Sequence, residues 1–337
     1  MEQIKSICLF SGGLDSILAV KVLEAQGIAV TAVKFVTPLF GSEYIKNPRA
    51  LMDAVWGKWR ISLKVVDITE DYFPMLKAPA HGYGKNFNPC IDCKILMVKK
   101  AGEMMVELGA HFLATGEVIG QRPMSQRRDT MRIVERDSGM EGRLLRPLCA
   151  RLLPETIPEK EGLVKRDLLY DFSGRSRTHQ MELAASLGIT DYPSPAGGCV
   201  LTDPVLSKRI EYVVKTYREI SGRDISLCRV GRHFIWPDGA HLVVGRNQGE
   251  NTRLAELIGW GTHVIKAADF PGPLGLLRDA APSPERLLAA AGIVVRYGKA
   301  KNEPSARVSL KELETGTERI ITAAPLWETE SLGLRHL

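Results

Sequence analysis

A short apolar run, Lys5 to Phe10, passes directly into Ser11-Gly12-Gly13-Leu14-Asp15-Ser16, and from there into a helical repeat with Leu14, Leu18 and Val22 four residues apart. A strand that turns through two glycines straight into a helix exposes a row of unpaired, partly positive N–H groups. Such a turn suits an anion, because glycine lets the backbone approach without a Cβ and tolerates positive φ. Ser11 and Ser16 add hydroxyl donors. Asp15 would repel a phosphate unless a cation intervened, and a Mg²⁺ bridging Asp15 and the phosphates is the simplest resolution. The plainer alternative is a tight strand-to-helix turn in which Asp15 only caps.

Beyond this turn, strand and helix alternate. Gly27 stands where the first helix should stop, and Ala29 to Val36 is rich in β-branched residues. A helix is expected over Arg49 to Trp59, a strand over Ile61 to Ile68, a helix over Lys94 to Leu108 and a strand over His111 to Thr115. This order implies an α/β fold with a doubly wound parallel sheet and ligands at the carboxyl ends of its strands. Short helices are expected at Lys165 to Tyr170 and Gln180 to Leu187. From Ser226 the texture changes to two apolar runs around Pro237-Asp238-Gly239, a hairpin signal. The expected organisation is a sheet domain over 1–204, a basic helical connector over 205–224 and a smaller α+β domain over 225–337.

With 45% apolar and 25% charged residues, the 337-residue chain has a globular balance. No apolar stretch approaches the ~18 residues of a membrane span. The N-terminus shows no leader pattern, so a cytoplasmic location without membrane contact is expected. A net charge of +6 permits a polyanionic partner without requiring one.

Ser11 to Ser16 resembles the pyrophosphate loop of the PP-loop ATP pyrophosphatases, which implies that ATP is cleaved between its α and β phosphates. It lacks the Gly-Lys-[Ser/Thr] ending of the ordinary P-loop. In that superfamily the end of the second strand grips the base, which by position is Lys34-Phe35-Val36 here. Further on, Thr115-Gly116-Glu117-Val118-Ile119-Gly120-Gln121 with Ser125-Gln126, and then Arg146-Pro147-Leu148, resemble the tRNA 4-thiouridine synthetases. The tRNA 2-thiouridylases usually follow a related Ala-Thr-Gly step with His, which is absent here. On this resemblance Gly116 lets the chain pass close to the nucleotide, and Gln121 offers donor and acceptor to ribose or base. The resemblance covers residues 1–204, without that family's N-terminal RNA-binding extension, so the grip on tRNA is expected from the second domain. There Gly231-Arg232-His233-Phe234, Val244-Gly245-Arg246-Asn247 and Glu250-Asn251 resemble the RNA-binding module of the NFACT proteins. The arginine-dense stretch Gln126 to Arg151 reads either as a solvated face or as a contact to the tRNA backbone.

Cys8 and Cys149 sit in apolar surroundings and read as core. Cys90 and Cys93 form a Cys-x-x-Cys, expected on a loop before a helix, and Cys199 lies in a Gly-rich turn. Three thiolates with one open position suit a [4Fe–4S] cluster, an arrangement that resembles several iron–sulfur PP-loop thiolases. A persulfide on Cys199, resolved by one of the pair, fits the same residues. A zinc site would need a fourth ligand, for which His81 is the best candidate. The expected activity is adenylation of a uridine carbonyl oxygen and its replacement by sulfur from sulfide or a persulfide carrier, with 4-thiouridine favoured over 2-thiouridine. An amidating PP-loop ligase and a non-enzymatic RNA-binding protein are the alternatives. No feature of the sequence sets an oligomeric state.

Overall fold

The computed structural model describes residues 3–194 and 199–337, which divide into two compact units, Met1–Thr202 and Asp203–Leu337. The Gly-rich turn before Cys199 lies outside the described residues.

The first unit is built on a five-stranded parallel sheet: β1 (Lys5–Leu9), β2 (Ala29–Val36), β3 (Leu63–Asp67), β4 (Phe112–Thr115) and β5 (Leu144–Leu145). The spatial order is β3-β2-β1-β4-β5. The chain runs outward from β1 to β3 and then returns to the other side of β1 with β4. The strand order therefore reverses between β1 and β4, which opens a crevice at their carboxyl ends. The helix Leu14–Glu24 is buried on nearly every face, including Leu14, Ile17, Leu18, Val20 and Leu23. It therefore needs no polar face, and Gly27 at φ 79° ends the segment. In the next helix, Pro48–Trp59, proline occupies the first turn and Asn47 Oδ1 accepts from Ala50 N–H at 3.3 Å.

Two features depart from the sequence expectation. The helix Cys90–Glu107 begins at the first cysteine, so both cysteines lie in its first turn, three positions apart and neighbours on one face. The arginine-dense stretch is not one surface: it contains the helix Arg128–Asp137 and the short strand β5, after which Arg146 is only 2% exposed.

The second unit carries a seven-stranded sheet, antiparallel at every described pairing. Its strands are β6 (Arg232–Ile235), β7 (His241–Val244), β8 (His263–Ala267), β9 (Gly275–Arg278), β10 (Ala306–Glu312), β11 (Glu318–Ala323) and β12 (Arg335–His336). β6 and β7 form the hairpin expected around Pro237-Asp238-Gly239, with Gly239 at φ 95°. The helix Pro284–Arg296 adds Leu287, Ala290, Ile293 and Val294 to the sheet's core.

The residues Gly231 to Phe234, Gly245 to Asn247 and Glu250-Asn251 are largely engaged with one another and with the core. His233 and Phe234 are core residues. Glu250 Oε2 accepts from Gly231 N–H at 3.1 Å and Arg246 N–H at 2.9 Å, and its carboxylate also holds the Arg246 guanidinium. Asn247 Oδ1 caps the helix Gln248–Glu256 through Glu250 N–H, and Asn251 Oδ1 accepts from Leu274 N–H. A Cβ on Gly245 would lie 2.2 Å from Asn251 Oδ1. The pattern knits three loops together.

Behind it runs a directed hydrogen-bond chain. Val230 O can only accept, so His233 Nε2 donates to it at 2.9 Å, which leaves Nδ1 of a neutral His233 as an acceptor. His241 Nε2 donates to that Nδ1 at 2.9 Å, and Tyr217 Oη donates to His241 Nδ1 at 2.9 Å. An added proton would set two N–H groups against each other. Burial first, then Arg278 and Arg209, pushes His241 down to about 3, and burial and His241 push His233 well below its usual value. Between these depressed values and an unfolded value near ~6.5, the unfolded chain binds more protons, so stability falls as pH drops through that window. Each histidine should contribute a slope approaching about 1.4 kcal/mol per pH unit. Denaturant unfolding at pH 7.5, 6 and 5 should show the loss, and His241→Gln should flatten the slope. A pH-independent unfolding free energy would refute this account of the histidine chain.

Candidate active site

The exits of β1 and β4 meet at the switch point. At the β1 exit Gly12 adopts φ 87°, and the serines hold the loop in shape: Gly12 N–H donates to Ser16 Oγ at 3.2 Å and Gly13 N–H to Ser11 Oγ at 3.2 Å. Lys34 Nζ, from β2, donates to Ser11 O at 2.7 Å, and burial lowers its pKa. The Leu14 side chain points into the core, so this residue offers the site only its backbone.

Gly116, at the β4 exit, has a different partner from the one expected. A Cβ there would lie 2.4 Å from Asp15 O and 2.6 Å from Ser16 N. The glycine is required by the loop's own backbone, which it lets β4 approach. Gln121 is likewise turned to the loop, its Nε2 donating to Asp15 Oδ2 at 3.0 Å. Asp15 Oδ1 and Gln121 Oε1 are buried without a hydrogen-bond partner. Two orphaned oxygens on paired side chains are the donor type a hard cation takes.

Sequence reading missed a buried ion cluster beside them. Glu117 Oε2 accepts from Arg146 Nε at 3.2 Å and Thr115 Oγ1 at 3.1 Å, while Lys94 Nζ lies 3.4 Å from Glu117 Oε1. Arg146 also pairs with Glu135. Burial alone would raise the Glu117 pKa, but Lys94 and Arg146 outweigh it and hold the carboxyl below its usual value. The signal was present in Thr-Gly-Glu and Arg-Pro-Leu, although nothing in the sequence pairs them.

The cysteines approach from the helix Cys90–Glu107. Asn88 Nδ2 donates to Cys90 Sγ at 3.1 Å, and Tyr72, 1% exposed, hydrogen-bonds Cys93. Burial, and next the electrostatic influence of Cys199, push the Cys93 thiol up to about 12, and Cys90 adds to this. Cys90 and Cys199 are thus both within electrostatic reach of Cys93 and of Tyr72. Among the described residues no three His, Cys, Asp or Glu side chains converge as ligands of a single metal ion. His81 is engaged elsewhere, with Nδ1 3.1 Å from Asp92 Oδ1 and Nε2 3.0 Å from Asp137 Oδ2.

These parts share one pocket of about 410 Å³, whose walls include Ser11, Asp15, Lys34, Phe35, Cys90 and Cys93. Gly116, Glu117 and Lys94 also line it. Another hollow, of about 490 Å³, lies at the amino ends of β1 and β2 beside Trp56 and Arg60, away from both loop and cysteines.

Comparison with known proteins finds a match in each of the two units. Residues 1–153 match the family model described as thiamine biosynthesis protein (ThiI), and residues 231–333 match that of the NFACT protein RNA binding domain. A probable tRNA sulfurtransferase of Thermococcus kodakarensis is 28% identical over 151 residues, 43% of this chain and 37% of that protein. A tRNA sulfurtransferase of Desulfurococcus amylolyticus is 26% identical over 171 residues, 51% of this chain and 34% of that protein. The chain thus spans little more than a third of the length of these relatives. Among solved structures, a 4-thiouridine synthetase–RNA complex with bound ATP is similar at 21% identity and a TM-score of 0.35, covering 55% of this chain and 51% of its own. The U34-tRNA thiolase of Methanococcus maripaludis with its [4Fe–4S] cluster is similar at 17% identity and a TM-score of 0.32, covering 58% and 61%.

Two substitutions test the geometry. Gly116→Ala drives a Cβ into backbone that cannot swing away, and should cost about 1–3 kcal/mol of stability. Arg146→Met strands Glu117 and Glu135 and should cost about 3–5 kcal/mol. Denaturant melts of both variants at neutral pH measure these losses, and wild-type midpoints would contradict the contacts.

Proposed function

We propose that this chain is an ATP-dependent tRNA sulfurtransferase that adenylates a uridine carbonyl oxygen and replaces it with sulfur. The observation that carries the reading is the shared pocket: the anion-binding loop and the Cys-x-x-Cys face the same space, with Cys199 within electrostatic reach of Cys93. A phosphate-activating loop and a sulfur-handling site need a common cavity only if one substrate visits both. The ThiI match over residues 1–153 and the sulfurtransferase relatives support the same reading.

In this account ATP places its phosphates against the loop Ser11 to Ser16, at the start of the helix Leu14–Glu24. Lys34 and Phe35 bound the base side of the pocket. Mg²⁺ held by Asp15 would neutralise phosphate charge there. The uridine oxygen attacks the α-phosphorus and pyrophosphate leaves, so the base carries AMP on that oxygen. A sulfur nucleophile then adds to the ring carbon, and AMP departs with the original oxygen. The chain's contribution is to position the two partners and to stabilise charge that is already present. The resemblance of Thr115 to Gln121 to the 4-thiouridine synthetase signature favours the 4-oxygen over the 2-oxygen. The second unit, with its NFACT-type segment, supplies the hold on RNA.

A [4Fe–4S] cluster held by Cys90, Cys93 and Cys199 would supply an iron with an open position for sulfur. Ligands of a cluster sit on different irons, so they stand farther apart than those of one zinc ion. That Cys199 and Cys90 both act electrostatically on Cys93 supports this reading.

Asp15→Ala should reduce ATP–pyrophosphate exchange by at least about 100-fold, as expected for the loss of a group that stabilises transferring phosphate. Cys93→Ala should keep the exchange and abolish thiolated nucleoside, read by mass analysis of digested tRNA, which also separates 4-thiouridine from 2-thiouridine. Protein purified without oxygen should show broad visible absorption that each cysteine variant loses. A colourless, iron-free and fully active enzyme would leave the persulfide route instead. Exchange unaffected by Asp15→Ala would overturn the assignment of the loop.

A further inference from the structure

At the carboxyl end of the helix Pro284–Arg296, four flat side chains of the second unit interleave. The Arg232 guanidinium lies 4.3 Å from the centroid of the Tyr297 ring. Arg296 lies 5.2 Å from that centroid and 5.2 Å from the centroid of Trp327. Arg296 Nη1 also donates to Trp327 O at 3.0 Å, which ties the segment after β11 to the helix end. Each guanidinium is drawn to its ring by the ring's negative face. The order is thus cation, ring, cation, ring, and the outer ring, Trp327, is 55% exposed.

The arginines of this stack are among those of the second unit that hold no carboxylate. Arg246, Arg278, Arg286 and Arg307 of the same unit each hold a carboxylate. Among the described residues Arg232 and Arg296 have no carboxylate partner, and the exposed Lys299 and Lys301 follow directly. Nearby His336, whose ring lies 5.0 Å from that of Phe234, is held below its usual pKa by burial and then by Arg209, Arg232 and Arg296. Positive potential without internal neutralisation, beside an open aromatic face, calls for a partner that is both anionic and flat.

We propose that the Arg232–Tyr297–Arg296–Trp327 stack is a docking platform for an unpaired nucleotide of RNA, with the base on the Trp327 indole and the flanking phosphate on the arginines. An unstacked base has a free π face and an adjacent phosphate, whereas a duplex hides that face. This inference rests on the reading that the second unit holds RNA, and it names where and in which form.

The test is binding of the full chain to a single-stranded RNA, to a matched duplex and to tRNA. Trp327→Ala should weaken single-strand binding about 5- to 150-fold, as for loss of one base–aromatic stack, and change duplex binding little. Its salt slope should stay that of wild type, because no phosphate contact is removed. Trp327→Phe should keep most of the affinity. Arg296→Gln should weaken binding and make the slope shallower by about 0.7, the contribution of one phosphate on a single strand. Thermal melts should change little in the Trp327 variants, because that side chain is 55% exposed on the second unit. Trp327→Ala binding the single strand as tightly as wild type, or losing duplex equally, overturns the platform and leaves the proposed function intact. Wild-type protein that binds no RNA at all removes both.

Discussion

Arg146 holds a full positive charge almost entirely out of water, and that burial dictates the arrangement of the first unit. A buried guanidinium is tolerated only with its charge and its N–H groups matched, so Glu117 and Glu135 must be where they are. Glu117 ties in the β4 exit, Glu135 the helix Arg128–Asp137, and Lys94 the helix that carries Cys90 and Cys93. Four chain segments far apart in sequence are therefore fixed to one another by charge that cannot be left unpaired. Hydrophobic packing would allow them to slide, whereas ion pairs with hydrogen-bond geometry set their register.

That register places the loop Ser11 to Ser16 against the β4 exit. Gly116 passes so close to Asp15 and Ser16 that no side chain fits, and Gln121 then reaches Asp15 from the same segment. The orphaned oxygens of Asp15 and Gln121 remain, and they are the feature of the site that most needs a ligand. Cys90 and Cys93 face the same space from the helix whose first turn Lys94 anchors. The loop and the cysteine pair thus converge through one set of buried pairs.

The second unit uses polar groups differently. Glu250 gathers the amides of Gly231 and Arg246 and the Arg246 side chain, so an acidic residue in a basic pattern serves the loops. The chain Tyr217–His241–His233–Val230 fixes both imidazoles as neutral, single tautomers. Outside that chain, Arg232, Arg296, Tyr297 and Trp327 bring cationic and aromatic side chains together at the end of the helix Pro284–Arg296.

The sequence by itself determined the strand–loop–helix opening, the alternation that makes a parallel sheet, the hairpin at Pro237-Asp238-Gly239 and the core positions of Cys8 and Cys149. All of these are written in local periodicity or turn chemistry, which act over a few residues. It also supplied Asp15, Gln121 and the cysteines as candidates, since those residue types in those settings have few other uses. Only the tertiary structure decided what they touch. Gly116 accommodates the loop's backbone, Leu14 goes to the core, His81 is taken by Asp92 and Asp137, and Arg146 is buried rather than facing a polyanion. The physical reason is the same in each case: a close approach or an ion pair between residues separated by many positions is set by where the sheet order places them. Local pattern carries no trace of that partner.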